Sequence, residues 1–318
     1  MTQQHQWLGN ILRWFDADAS VDHLNADSKR VNPIRVLPFV ALHLACLGVF
    51  LVGYSGFALA FATGFFLIRM FAITGFYHRY FAHKTFRTSR GWQFLFAVLG
   101  ASAAQRGPLW WAAHHRHHHQ HSDRHQDIHS PHHGGFWWAH VGWFTCDAGF
   151  RTDEKRVGDW LRFPELRFLN RFDALVPALA AVLIYLLGEL LAVTAPSLAT
   201  NGLQLLVWGF FVSTVALFHA TVSINSLAHV WGSRRFNTED NSRNNWFLAL
   251  ITLGEGWHNN HHRWPLSARQ GFRWYEIDLT YYGLWLLSKV GIIRELNPVP
   301  LHILEETREL DRTRRERP

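Results

Sequence analysis

Cysteine is almost missing from this chain. Only Cys46 and Cys146 occur in 318 residues, far apart and in no C-x-x-C pair. That excludes a disulfide framework, a thiolate metal site and a cysteine-ligated cluster, and it fits a reducing compartment. Charge is scarce too, at 17% of residues against roughly 25% in soluble domains. No dinucleotide-binding glycine fingerprint, His-Pro-Gly-Gly haem segment or H-E-x-x-H motif is present, which excludes a built-in electron carrier and a zinc protease. A carboxylate-bridged dimetal bundle needs two E-x-x-H pairs, and Glu255 with His258 is a lone match.

Histidine and tryptophan are in excess, at 22 and 16 residues. Mean hydropathy lies near zero, at −0.06, because apolar runs alternate with very polar ones. The runs are about 36–52, 57–76, 174–191 and 203–223, each near the roughly 20 residues that cross a bilayer. GYSG joins the first two, and an uncharged turn around Pro196–Gly202 joins the second two. These are two helical hairpins. Residues 92–104 are apolar but too short to span, as an interfacial or re-entrant segment would be.

Lysine and arginine avoid both short turns and, Arg69 aside, the interiors of the runs. By the positive-inside rule both termini and the polar regions 77–173 and 224–300 face the cytoplasm. The net charge of +7 is therefore topology and lipid contact, not nucleic-acid binding. Arg69 reads first as a snorkelling side chain, with a buried functional charge as the rarer alternative. No signal peptide opens the chain; residues 5–15 form an amphipathic pattern suited equally to a membrane interface or to packing on the body of the protein. The run 301–318 reads as a solvated, mixed-charge helix or frayed end. The expected fold is a single all-α membrane domain over 1–318, with four transmembrane helices in two hairpins. A cytoplasmic helical cap holds a histidine-ligated dimetal site.

The histidines fall in three groups beyond the span ends: HRYFAH (His78–His83), the dense stretch Trp110–His133, and HNNHH (His258–His262). Imidazole suits iron, zinc, copper and nickel. Helical neighbours three and four apart share a face, as His115, His118 and His119 do, and His258, His261 and His262. His114, His117 and His118 satisfy the same rule, so spacing leaves the central register open. Asn225 and His229 also share a face. His78 and His83, five apart, need a helix end or a metal bridging two sides. A transporter would place its ligands near the bilayer midplane; here only His43 and His219 lie inside apolar runs.

HRYFAH, HHRHHH followed by D-x-H, NSLAH and GEGWHNNHH, in that order, resemble the membrane-bound fatty acyl desaturases of the stearoyl-CoA type, over about 36–300. The form resembled is the bacterial one without a fused electron carrier, placed in the inner membrane. The resemblance implies an oxygen-dependent desaturase. It implies two ferrous ions held by His78, His83, His115, His118, His119, His229, His258, His261 and His262, with Asn225 reaching the metal through water. The substrate implied is a saturated long-chain acyl group, acyl-CoA by preference, desaturated in cis at the ninth position. Trp111 and Thr74 match tunnel-lining positions, and the closed end of the tunnel, which sets chain length, falls around Ala62 and Phe66. Animal members carry Arg and Asp where this chain has Ala113 and His114, which opens the carrier to a membrane lipid or an acyl-carrier protein. Electrons then come from a separate ferredoxin-like, rubredoxin-like or haem protein. A hydroxylase on the same scaffold is the nearest alternative. Ligating imidazoles need acceptors for their other N–H, and Asp123, Asp127 and Glu255 are the candidates.

Overall fold

The structure, a computed structural model, describes residues 14–18 and 29–316. The amphipathic pattern at 5–15 lies outside them except for its last two residues. Among the described residues four helices are long and apolar enough to cross a membrane: Arg35–Val52, Gly56–Ala82, Leu175–Thr194 and Gly202–His229. At about 1.5 Å per residue, the second and fourth, of 27 and 28 residues, run to roughly 40 Å against a hydrocarbon core of about 30 Å. Each is thus about 10 Å longer than that core, and His78 and His229 lie toward their C-terminal ends.

The chain divides into two compact units. The first takes the described residues up to Met70 together with Ala97–Trp111 and Trp143–His219. Ala58, Ile184, Leu205 and Phe210 form its core, and Phe57, Phe61, Phe65 and Leu187 pack on them. Outward residues such as Phe50, Leu51 and Val193 are more than 80% exposed, as side chains in contact with lipid would be. At the second hairpin turn Asn201 accepts the Gln204 N–H and opens the last span.

Arg69 does not snorkel. It is fully buried and donates to Ser213 Oγ (2.7 Å), Thr214 Oγ1 (2.6 Å) and the carbonyls of Ser102 and Phe65 (3.2 and 3.3 Å). Its guanidinium also lies 4.0 Å from the Phe65 ring centroid. Hydroxyls one position apart on the fourth span satisfy the charge in place, so the side chain has no need to reach the interface.

The second unit takes Phe71–Phe96, Ala112–Gly142 and Ala220–Pro318. Two two-residue strands, Arg87–Thr88 and Ile293–Arg294, pair antiparallel; the rest of its described residues is helix and loop. The helix Leu279–Lys289 lays buried Thr280 and Leu284 against Gly75 of the second long helix. The segment at 92–104 forms the helix Arg90–Ala101, too short to span. The C-terminal run is a helix, Leu301–Arg315, but it is docked, not solvated. Ile303 joins a core with Phe236 and Phe272, Glu306 pairs with Arg263 at 2.7 Å, and Asp311 pairs with Arg235 and Arg273.

Candidate metal centre

The second long helix changes pitch before its histidines. Ala72–Ala82 is wound as a π-helix, and the His83 N–H bonds the His78 carbonyl at 3.1 Å. An i→i+5 bond puts residues five apart in line, which is how His78 and His83 come to face the same way. Their rings lie 4.8 Å apart.

The central helix Pro108–His121 presents His115, His118 and His119 inward. His117 turns away to the Gln126 carbonyl at 2.7 Å, and His114 is half-buried outside the cluster. The third group rides on the helix His258–Arg263. Gly254 enters it at φ +132°, a conformation that suits glycine, with Asp278 Oδ1 only 2.5 Å from where a Cβ would stand. The fourth long helix ends on His229, which is fully buried.

These residues gather into two sets. His78, His83, His115, His119 and His261 form one; His118, His229, His258 and His262 form the other. In each set the ligand nitrogens lie within 4.8 Å of one another. Asn225 is half-buried, one turn before His229.

Each outer nitrogen of four rings meets a carboxylate. Glu255 lies 2.5 Å from His78 Nδ1, Asp127 2.9 Å from His118, Asp123 2.8 Å from His229 and Asp240 2.6 Å from His262. The three acids expected from sequence are among them, and Asp240 was missed. It stands 22 residues before His262, in a stretch without helical spacing to any histidine. Behind Glu255, buried Arg79 pairs with both Glu255 (3.1 Å) and Asp278 (3.0 Å).

With Nδ1–H donated to a carboxylate, the Nε2 of these rings carries a lone pair. His78 Nε2 faces His261 Nε2 at 3.1 Å, and His261 Nε2 faces His119 Nε2 at 2.9 Å. His229 Nε2 faces His258 Nε2 at 3.1 Å, and the buried His262 Nε2 has no hydrogen-bond partner. One proton on His261 cannot serve both of its neighbours. Lone pairs converging in a buried space repel unless a cation lies among them, so the donor set fits transition-metal ions.

Electrostatics favours neutral rings. Burial, reinforced by neighbouring imidazoles, pushes His83, His115, His119, His258 and His261 well below the usual histidine range. Burial also lowers His118 to about 4, against the opposing pull of Asp127. For the acids burial works the other way, but the histidine partners prevail and hold Asp123, Asp127, Asp240 and Glu255 below the usual carboxylate range. Neutral imidazole is the ligating form, and carboxylates behind it raise its donor strength.

The fatty acid desaturase family model matches residues 24–286. This chain belongs to the fatty acid desaturase family. It is an oxidoreductase, as the members it resembles are. An acyl-CoA 5-desaturase of Anemone leveillei is 37% identical over 82% of this chain and 78% of its own length. An sn-2 palmitoyl-lipid 9-desaturase of a Nostoc strain is 34% identical over 86% of this chain and 93% of its own. An sn-1 stearoyl-lipid 9-desaturase of Anabaena variabilis is 34% identical, over 83% and 93%. In this desaturase Thr74 is buried and bonded to Thr280 at 2.7 Å. Trp111 and Phe66 are half-buried, and Ala62 is buried.

Proposed function

We propose that this desaturase uses two iron ions, dioxygen and electrons from a separate protein to place a cis double bond at the ninth position of a saturated long-chain acyl group. The observation that carries the reading is the pair of buried histidine sets with converging lone pairs. The nine histidines hold the ions, and Asn225 reaches the four-histidine position through water. Iron at these positions supplies oxygen activation and removal of hydrogen from an unactivated methylene. In balance, two hydrogens leave the chain, two electrons and two protons enter from outside, and dioxygen leaves as two waters.

The protein's own residues do the remaining work. Asp123, Asp127, Asp240 and Glu255 orient the rings and keep their Nε2 lone pairs directed at the ions. The buried setting excludes water from the oxidising step. By resemblance, Trp111, Ala62 and Phe66 in the first unit contact the acyl chain, with Ala62 and Phe66 limiting its length. A ferredoxin-like, rubredoxin-like or haem protein brings electrons to the basic cytoplasmic cap. The setting is the bacterial inner membrane, with termini and site on the cytoplasmic side and the whole chain acting as one functional domain.

Acyl-CoA is the carrier proposed. A lipid-bound acyl chain is the second reading, favoured by Ala113 and His114 standing where animal members carry Arg and Asp, and by the lipid-bound substrates in the names of the Nostoc and Anabaena relatives. Expression in a host lacking the activity, with mass-spectrometric location of new double bonds, tests the reaction. New ninth-position monoenes are expected; hydroxylated chains would instead place a hydroxylase on this scaffold. Acyl-CoA and lipid-bound substrates supplied separately to washed membranes with a donor system decide the carrier.

A further inference from the structure

Charge is distributed unevenly around the two histidine sets. Three carboxylates stand behind the four-histidine set: Asp127 on His118, Asp123 on His229 and Asp240 on His262. Their remaining partners are hydroxyls, backbone N–H groups and the His129 ring, and Arg234 donates to the Asp240 backbone carbonyl at 2.7 Å. Asp123 accepts from the Ser130 hydroxyl and the Asn241 N–H. Asp127 accepts from the N–H groups of Asp123 and His129 and faces the neighbouring His129 ring. Asp240 accepts from Thr238 and Ser242.

On the five-histidine set Glu255 stands behind His78, and Glu255 is paired with Arg79. Arg79 also pairs with Asp278. A second guanidinium, that of Arg116, donates to the carbonyls of Phe81 and Ala82 immediately before His83 (2.8 and 2.9 Å). Here two carboxylates and two guanidiniums offset one another.

A carboxylate on Nδ1 strengthens the opposite nitrogen as a donor. The added positive charge of an oxidised metal is held best where the surroundings are most negative. We propose that the two metal positions are electronically unequal. The four-histidine position, backed by Asp123, Asp127 and Asp240, gives up its electron first, and the five-histidine position is the first to regain one. Each change moves one electron: a ferrous ion becomes ferric by losing one to an external oxidant such as ferricyanide, and a ferric ion becomes ferrous by taking one from the separate donor protein. This deepens the two-iron reading and rests on it. Asp240 acts through His262 as a positioning residue that sets the lower potential.

The test uses the full chain, loaded anaerobically with ⁵⁷Fe(II). Iron per chain is counted, and the protein is then titrated with ferricyanide and followed by Mössbauer spectroscopy. Two separate one-electron waves are expected. Asp240→Asn should raise the lower one alone and weaken iron at that position by about 10–100-fold; Glu255→Gln should move the upper one alone. Asp123→Asn is the second variant for the lower wave, should Asp240→Asn not fold. One concerted wave in the wild type, or Asp240→Asn moving only the upper wave, overturns the proposal while leaving two irons in place. Fewer than two bound irons removes the two-iron reading itself, and the proposal with it.

Discussion

Replacing Asp127 with asparagine removes one charge and almost no volume. The carboxylate lies 2.9 Å from His118 Nδ1 and 3.1 Å from His129 Nδ1, and it accepts the Asp123 and His129 N–H groups at 3.0 and 3.2 Å. An amide has one acceptor oxygen, so its NH₂ must face a donor on the other side. Hydrogen bonds to charged groups contribute about 1.5–3 kcal/mol each, and loss of an outer partner of a ligating histidine weakens metal binding by about 10–100-fold. At 1.4 kcal/mol per tenfold the two scales agree. Chelator competition against the iron-loaded protein measures the loss, with unchanged circular dichroism as the folding control. Asp153→Asn, where an exposed carboxylate pairs with Arg156, is the comparison and should change nothing. Wild-type iron affinity in a folded Asp127→Asn protein would refute the reasoning.

Three further outcomes follow from the same geometry. His118→Ala should lose iron from the four-histidine position and His114→Ala should keep both ions, as metal analysis of the purified variants would show. Metal-free protein should lose stability on acidification, because rings held neutral when folded take up protons on unfolding. The contribution is present above the ordinary value of 6.5 and lost as pH falls toward about 4 for His118. That is about 3 kcal/mol from this ring alone, and denaturant unfolding followed at several pH values would detect the opposite sign. Truncation after Pro300 removes buried Ile303 and Thr307 and the Glu306–Arg263 pair beside the third histidine group. A thermal midpoint lowered by at least about 4 °C is expected, and an unchanged midpoint would mean the helix is dispensable.

Much of this architecture is legible in periodicity and composition. Apolar runs of spanning length set out four helices, and the missing turn charges pair them as hairpins. Spacing supplies two of the three histidine groups, because i, i+3 and i, i+4 positions share a face whatever the tertiary context. It stops where tertiary contacts decide. His114 and His115 are equivalent by spacing, and packing of the central helix separates them. His78 and His83 fit no α-helical face, because their alignment comes from a local π-winding that composition does not mark. Arg69 looks like a snorkelling residue until Ser213 and Thr214, far away in sequence, meet it inside the first unit. Asp240 reaches His262 through a loop fold without periodicity. The C-terminal run looks solvated because few of its side chains are apolar, yet Ile303 and Thr307 share one face at helical spacing and are buried.

In the arrangement proposed, nine histidines hold two iron ions. Metal analysis of purified protein, expressed with iron and zinc both supplied, measures it most directly. Two irons per chain, falling to one or none in His118→Ala and His261→Ala, is the predicted result. Zinc in place of iron, or full iron content in both variants, would contradict it.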